Sequence, residues 1–204
     1  ILKFVTSEQF KKINIHIFKI NIRIFKMKNI DFTDKTVIIR TDYNVPIKNG
    51  EITSTLRIDS SLYTINFAIH KKAKKVIIIS HMGRPKNNEP ELSLLPVKKY
   101  LEKVLDVSVG FSTLYNYLSR KENQNENKII LLENIRYSPE ETKQLETTSE
   151  FRNKLTSLGD IYVNDAFGCS HREHSSIVGI NCKEKCNGLL INKEIKFLKN
   201  IFEG

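Results

Sequence analysis

From residue 27 onward, short apolar runs alternate with longer stretches in which apolar side chains recur every third or fourth position. The runs are residues 36–40 (TVIIR), 76–80 (VIIIS), 107–111 (VSVGF), 128–132 (KIILL), 161–164 (IYVN) and 188–191 (GLLI). Such nearly continuous runs predict strands buried on both faces, as in a parallel sheet. Between them lie four helix candidates. Residues 60–72 carry Leu62, Ile65, Ala68 and Ile69 at helical spacing. Residues 95–105 follow Ser93 and open with Pro96, a residue tolerated in a first turn. Residues 149–158 place Phe151, Leu155 and Leu158 before Gly159, a stop signal. Residues 192–202 form a last amphipathic stretch, and residues 121–127 (KENQNEN) read as a solvated loop. The strand–helix alternation predicts an α/β fold: a doubly wound, Rossmann-like three-layer sandwich with a mostly parallel sheet.

Composition narrows the class. A hydrophobic content of 40% in 204 residues, gathered into Ile/Val/Leu runs, excludes wholesale disorder. Three cysteines, an odd and sparse set, exclude a disulfide scaffold and read as ordinary thiols in a reducing compartment. No window approaches the roughly 18 consecutive apolar residues of a membrane span.

Charge is the open feature. Lys+Arg number 33 against 23 Asp+Glu, a formal net charge of +10. Half of that excess lies in residues 1–26, where Lys3, Lys11, Lys12, Lys19, Arg23 and Lys26 face the single acid Glu8. This segment alternates Ile with polar residues, and its register breaks at Phe18-Lys19. Two readings of it stand: a floppy or non-native extension, or a basic targeting peptide. The globular pattern begins at Met27, and a start there is the expectation.

In doubly wound sheets, ligands bind beyond the carboxyl ends of the strands. The residues that follow the runs are Thr41-Asp42-Tyr43-Asn44-Val45-Pro46, His81-Met82-Gly83-Arg84-Pro85, Glu133-Asn134-Ile135-Arg136, and Asp165-Ala166-Phe167-Gly168 with His171-Arg172-Glu173-His174-Ser175-Ser176 beyond. The chain has 25 Lys and only 8 Arg, yet Arg84, Arg136 and Arg172 all fall in these loops. Arginine's planar fork suits carboxylate and phosphate oxygens. The pattern predicts a compact site for a small anion rather than a nucleic-acid surface. Arg40 is read as a packing and ion-pair residue, and His171 and His174 as structural. No metal site is expected, because no acid–cysteine cluster accompanies the two histidines in sequence.

Five segments, in order, resemble the phosphoglycerate kinase family. They are Arg40–Pro46 (RTDYNVP), Arg57 within TLRID, Ser80–Pro85 (SHMGRP), Leu132–Tyr137 (LENIRY), and Val163–Gly168 (VNDAFG) followed by His171–Ser176 (HREHSS). Each motif alone is weak; the five in sequence are specific. The resemblance covers residues 28–203. It implies a substrate domain over residues 28–190, the start of an interdomain helix over 191–204, a basic extension over 1–27, and no nucleotide-binding domain within this chain. It implies 3-phosphoglycerate or 1,3-bisphosphoglycerate as ligand. Asp42 and Asn44 would hold the hydroxyl and carboxylate end, and His81, Arg84, Arg136 and Arg172 would surround phosphate and carboxylate. Arg57 would face the transferred phosphoryl group as the catalytic arginine. The family is a glycolytic, cytoplasmic, monomeric phosphotransferase with a carboxyl acceptor. It uses Mg-ATP/ADP, and organelle targeting by residues 1–26 stays open.

The sequence departs from the family pattern in places. Its eight glycines include no adjacent pair and build neither G-x-G-x-x-G nor a P-loop, so no cofactor-binding residue is expected here. With only one partner held, the proximity gain of in-line transfer is lost, and these 204 residues alone are expected to be inactive. Glu173 stands where a small residue is usual, and Cys169-Ser170 replaces a Thr-Ala pair. The leading reading is the 3-phosphoglycerate-binding half of a phosphoglycerate kinase. The alternatives are a binding-only module that has lost transfer, and a nucleic-acid binder working through the basic segment.

Overall fold

The computed structural model describes residues 25–119, 127–144 and 147–203. In chain order the strands are β1 (Phe25–Lys26), β2 (Thr36–Arg40), β3 (Ile47–Lys48), β4 (Glu51–Ile52), β5 (Lys75–Ile79), β6 (Val109–Ser112), β7 (Ile129–Leu132), β8 (Ile161–Asn164) and β9 (Glu184–Asn187). The helices are α1 (Leu56–His70), α2 (Leu95–Leu105), α3 (Leu114–Ser119), α4 (Ser149–Thr156), α5 (Ser175–Val178) and α6 (Leu189–Glu203). Among the described residues, seven strands form one sheet in the order β1-β9-β8-β2-β5-β7-β6, and every pairing in it is parallel. The pair β3–β4 is a small antiparallel hairpin beside it.

The apolar runs are continuous because both sheet faces are covered. Alternate residues of each strand serve two separate cores. Val37, Ile39, Val76, Ile78, Ile129 and Leu131 pack with Ile58, Ile65 and Ala68 of α1 and Val97 and Leu101 of α2. Ile38, Ile77, Ile79, Ile130 and Leu132 pack on the other side with Leu114 of α3 and Phe151 and Leu155 of α4. The result is the expected three-layer α/β sandwich. Each fully buried Ile, Val or Leu in these layers contributes on the order of 1.5–3 kcal/mol over its exposed state.

Three element expectations need correcting. Residues 188–191 (GLLI) are not a strand; the strand is the charged segment Glu184–Asn187, and α6 begins at Leu189. The cause lies far away in sequence. Asp165, just past β8, accepts the Leu190 N–H at 3.0 Å and the Ile191 N–H at 3.4 Å, satisfying free donors of a helix start. Gly188 passes so close to that carboxylate that a Cβ would sit 2.1 Å from Asp165 Oδ1. Helix α1 opens four residues earlier than residue 60. Thr55 Oγ1 donates to Asp59 at 2.7 Å, and the Thr55 carbonyl accepts the Ile58 and Asp59 N–H groups. Strand β6 starts at Val109 rather than 107, because Asp106 turns left-handed (φ 52°) after α2 and leaves Val107 exposed. The pattern also passed over α3, α5 and the β3–β4 hairpin, all too short to show a period.

Of the basic N-terminal segment, Phe25–Lys26 pairs in parallel with Cys186 and Asn187 at the sheet edge. Residues 1–24, and with them the targeting-peptide and nucleic-acid readings, lie outside the described residues, as does the expected loop at 121–127 except for Asn127.

Candidate functional site

The carboxyl ends of β2, β5, β7 and β8 lie side by side, so the loops after them meet. Backbone bonds fix their relative positions: Thr41 N–H to Ile79 O at 2.9 Å, Ile135 N–H to Ser80 O at 3.1 Å, and Asp165 N–H to Arg40 O at 2.8 Å. Ser80 Oγ accepts the Tyr43 N–H at 2.8 Å and donates to the Thr41 carbonyl at 2.9 Å, which locks the β2 loop onto the end of β5.

Six of the seven sequence-predicted residues come together on this frame. Arg57, in the first turn of α1, points an Nη to Asp42 Oδ2 at 2.6 Å and stays half exposed. His81 Nδ1 lies 4.0 Å from Asp42 Oδ1. Asn44 accepts the Gly83 N–H on its Oδ1 at 2.9 Å, and Arg136 donates to the Gly83 carbonyl from the other side. Gly83 holds φ +58°, and a Cβ there would meet Leu92 at 2.7 Å, so glycine is required where Asn44 and Arg136 are bridged. Arg172, on the loop before α5, is close enough to bias the titration of His81, His174 and Arg136. Arg84 is the exception. It is exposed and has no hydrogen bond or ion pair to the other six among the described residues.

Beneath these lies a buried layer that sequence reasoning only partly found. Arg40 is fully buried, as befits a packing and ion-pair residue. Its Nε donates to Ser176 Oγ at 2.7 Å, one Nη donates to the Thr41 carbonyl, and the other lies 3.3 Å from His81 Nδ1. Its counter-charge, Glu141, was missed. Glu141 is also fully buried and accepts Ser176 N–H at 2.8 Å and Ser176 Oγ–H at 2.6 Å, while its Oε1 sits 3.9 Å from Arg40 and 3.7 Å from His174. The segment Pro139-Glu140-Glu141 reads as a solvated turn, and nothing in it marks the second acid as interior.

Positive charge dominates the electrostatics of this cluster. Burial, then the charges of Arg40 and Arg136, hold the His81 imidazole neutral, its pKa lowered to about 2. His174 is lowered to about 4 by burial and by Arg136 and Arg172. Arg136 itself is lowered, by burial first. Among the described residues, the buried Nε atoms of Arg136 and Arg172 and Nδ1 of His174 have no hydrogen-bond partner. Positive charge and guanidinium donors left unfilled are chemistry suited to carboxylate or phosphate oxygens. Asp42, His81 and Cys169 also converge, one ligand atom of each lying within 4.8 Å of the others, although the sequence suggested no metal site. No described helix is long and apolar enough to cross a membrane.

These features define an α/β domain with a cluster of basic and histidine side chains at the carboxyl edge of a parallel sheet. The family model of phosphoglycerate kinase matches residues 27–204, and the chain belongs to the phosphoglycerate kinase family. It is 43% identical over 195 residues to the phosphoglycerate kinase of Dictyostelium discoideum, covering 87% of this chain and 46% of that protein. It is 41% identical over 195 residues to that of Aspergillus oryzae, covering 86% and 46%. The solved phosphoglycerate kinase of Coxiella burnetii superimposes with a TM-score of 0.75 at 36% identity, covering 87% of this chain and 45% of that one. The chain thus spans about half the length of the relatives it matches.

Proposed function

We propose that this chain is the 3-phosphoglycerate-binding half of a phosphoglycerate kinase, an enzyme that moves a phosphoryl group reversibly between 1,3-bisphosphoglycerate and ADP. The observation that supports this best is the pair of buried, unpartnered guanidinium Nε atoms on Arg136 and Arg172, beside histidines kept neutral. In this reading Arg136, Arg172 and His81 take the phosphate and carboxylate oxygens, and exposed Arg84 swings in over them. Asp42 and Asn44 accept from the substrate hydroxyl and orient its carboxylate end. Arg57 is the catalytic arginine. Its ion pair with Asp42 parks it at the rim, where it can offset charge developing on the moving phosphoryl group.

The family's Mg-nucleotide has no evident place here. The eight glycines build no phosphate-cradling loop, so in this reading the nucleotide is held by a part of the enzyme other than these residues. Residues 28–190 act as the substrate domain and residues 191–204 as the start of the connection to a nucleotide-binding part. The protein works as a cytoplasmic monomer in glycolysis, and these residues alone do not turn over.

Calorimetry with 3-phosphoglycerate tests the site. Binding heat is expected from the chain, with affinity reduced roughly ten- to hundredfold in Arg136→Met and Arg172→Met, each losing charge-assisted bonds worth about 1.5–3 kcal/mol. No heat, or no effect of either substitution, refutes the reading. In a preparation completed with its nucleotide-binding part, Arg57→Ala should depress kcat far more than it raises KM. Binding in a completed protein without turnover would point to the alternative, a module that binds and does not transfer.

A further inference from the structure

Arg40 and His81 come from neighbouring strand ends and meet in the interior. Arg40 closes β2 beside Ile79, the last residue of β5, and His81 follows just beyond. All three guanidinium nitrogens of Arg40 are engaged. Nε donates to Ser176 Oγ at 2.7 Å, one Nη donates to the Thr41 carbonyl, and the other lies 3.3 Å from His81 Nδ1. A guanidinium carries donors only and keeps its proton. The contact with His81 therefore runs in one direction, from Arg40 to a bare Nδ1, which leaves the proton of the neutral ring on Nε2. We infer that Arg40 is a positioning residue: it fixes His81 in the Nε2–H tautomer, so that the imidazole offers a donor to an oxygen of 3-phosphoglycerate. That the oxygen belongs to 3-phosphoglycerate rests on the proposed function above; the tautomer does not.

The opposite tautomer has no place here. A proton on Nδ1 would meet the Arg40 donor head-on. Asp42 Oδ1 does not rescue it, lying 4.0 Å away, beyond hydrogen-bond reach, and already accepting the Asn44 N–H at 3.2 Å. The doubly protonated ring is disfavoured by the same surroundings. His81 is buried, with Arg40, Arg136, Arg172 and His174 around it and Asp42 the acid that faces it, and burial, then Arg40, lower its pKa to about 2. The arginine is itself fixed. Glu141 accepts the Ser176 N–H at 2.8 Å and the Ser176 hydroxyl at 2.6 Å, so the serine turns its proton to the acid and a lone pair to Arg40 Nε. Donors thus run outward from one guanidinium, to Ser176 and Glu141 on one side and to His81 on the other. Held at three corners, the planar fork cannot turn. A lysine would carry the same charge without this geometry. Among the described residues no hydrogen bond engages His81 Nε2, so its N–H is the edge left for a ligand. A phosphate or carboxylate oxygen is drawn to an N–H there and would be repelled by a bare ring nitrogen.

Nitrogen NMR reads the tautomer directly. In the whole chain labelled with nitrogen-15 histidine, at neutral pH and without ligand, His81 should show a pyridine-like Nδ1 and a pyrrole-like Nε2, assigned by their loss in His81→Gln. A pyrrole-like Nδ1, or the intermediate shifts of a mixture, overturns the inference. Both shifts should move toward those of a free imidazole in Arg40→Met/Glu141→Gln and in Arg40→Lys, each verified as folded by circular dichroism. Unchanged shifts in whichever of the two folds would show that Arg40 does not set the tautomer. Calorimetry with 3-phosphoglycerate then tests the donor. His81→Gln keeps an amide N–H near the place of Nε2, whereas His81→Asn keeps only an acceptor for Arg40. Affinity should fall about ten- to hundredfold in His81→Asn, the loss of one hydrogen bond to a charged group, and clearly less in His81→Gln. His81→Asn binding as well as His81→Gln overturns the donor role. The expected tautomer together with no 3-phosphoglycerate heat in the unmodified chain would sustain the action of Arg40 on His81 and sink the substrate reading instead.

Discussion

Glu141→Gln tests the buried layer under the pocket. The substitution keeps the size of the side chain and one acceptor oxygen for Ser176, and removes only the charge. Arg40 and Glu141 are both fully buried. At 3.9 Å they are too far apart for a direct hydrogen bond, and the link runs through Ser176, whose hydroxyl accepts from Arg40 and donates to Glu141. Neutralising Glu141 leaves a guanidinium in the interior with its hydrogen bonds but without a counter-charge. Removing one partner of a buried pair costs about 3–5 kcal/mol, a large share of the roughly 5–15 kcal/mol by which a domain is stable. With a urea m-value of about 3 kcal/mol/M, the unfolding midpoint should drop by about 1–1.7 M at unchanged m. The double variant Arg40→Met/Glu141→Gln should recover much of the loss, with a coupling energy of about 2 kcal/mol or more. A loss under about 1 kcal/mol in the single variant, or strict additivity in the double, would refute the reasoning and mean that Thr41 and Ser176 alone hold the arginine.

Acid should destabilise the fold through the two neutral histidines. Their folded pKa values, about 2 for His81 and about 4 for His174, lie below the unfolded 6.5, so the unfolded chain takes up protons the folded one refuses. Stability is therefore lost as pH falls below 6.5, by on the order of 3 kcal/mol per histidine at pH 4. Asp165 opposes this, because burial raises its carboxyl from 3.8 to about 6 and the folded state binds that proton first. Thermal melts between pH 7 and 4 should show a net fall in Tm, steeper between pH 6 and 4 in Asp165→Asn, which keeps the Oδ1 acceptor for α6; a flat profile would contradict both assignments. Gly168→Ala should cost under about 1 kcal/mol of stability, since its Cβ meets only the movable Oδ2 of Asp42 at 2.8 Å. It should nonetheless weaken 3-phosphoglycerate binding by disturbing the Asp42–Arg57 pair, and an unchanged calorimetric Kd would count against Asp42 as a substrate contact.

The parts of the fold that were legible are those where burial is symmetric. Strands β2, β5, β7 and β8 are apolar at nearly every position because helices cover both faces, and their runs fall within a residue of the observed bounds. The same rule failed at residues 188–191, because an apolar run of four does not distinguish a strand from a helix start. What decides between them is Asp165, some 25 residues earlier. Charged β9 escaped notice because it lies next to the sheet edge and is only partly covered. The pocket's rim was legible through topology: parallel strands imply that whatever follows them converges. Its floor was not. Glu141 and Cys169 sit in short, polar or small-residue segments, and neither burial nor proximity to Asp42 leaves a mark in local sequence.

The position of β2 at the centre of the sheet has a kinetic consequence. One neighbour, β5, arrives 39 residues later, but the other, β8, pairs Val37 with Ile161, 124 residues on. At roughly 5–20 residues per second of synthesis, β2 waits about 6–25 s with one edge open. The segment TVIIR is then an unpaired, strongly apolar edge in a nascent chain, the kind that templates misassembly. The pocket waits with it, because Arg40 and Asp42 meet Ser176 and Cys169 only once β8 has docked. The site is thus assembled among the last events of folding, and a chaperone that shields one strand edge for some tens of seconds would govern how much of this chain becomes able to bind anything.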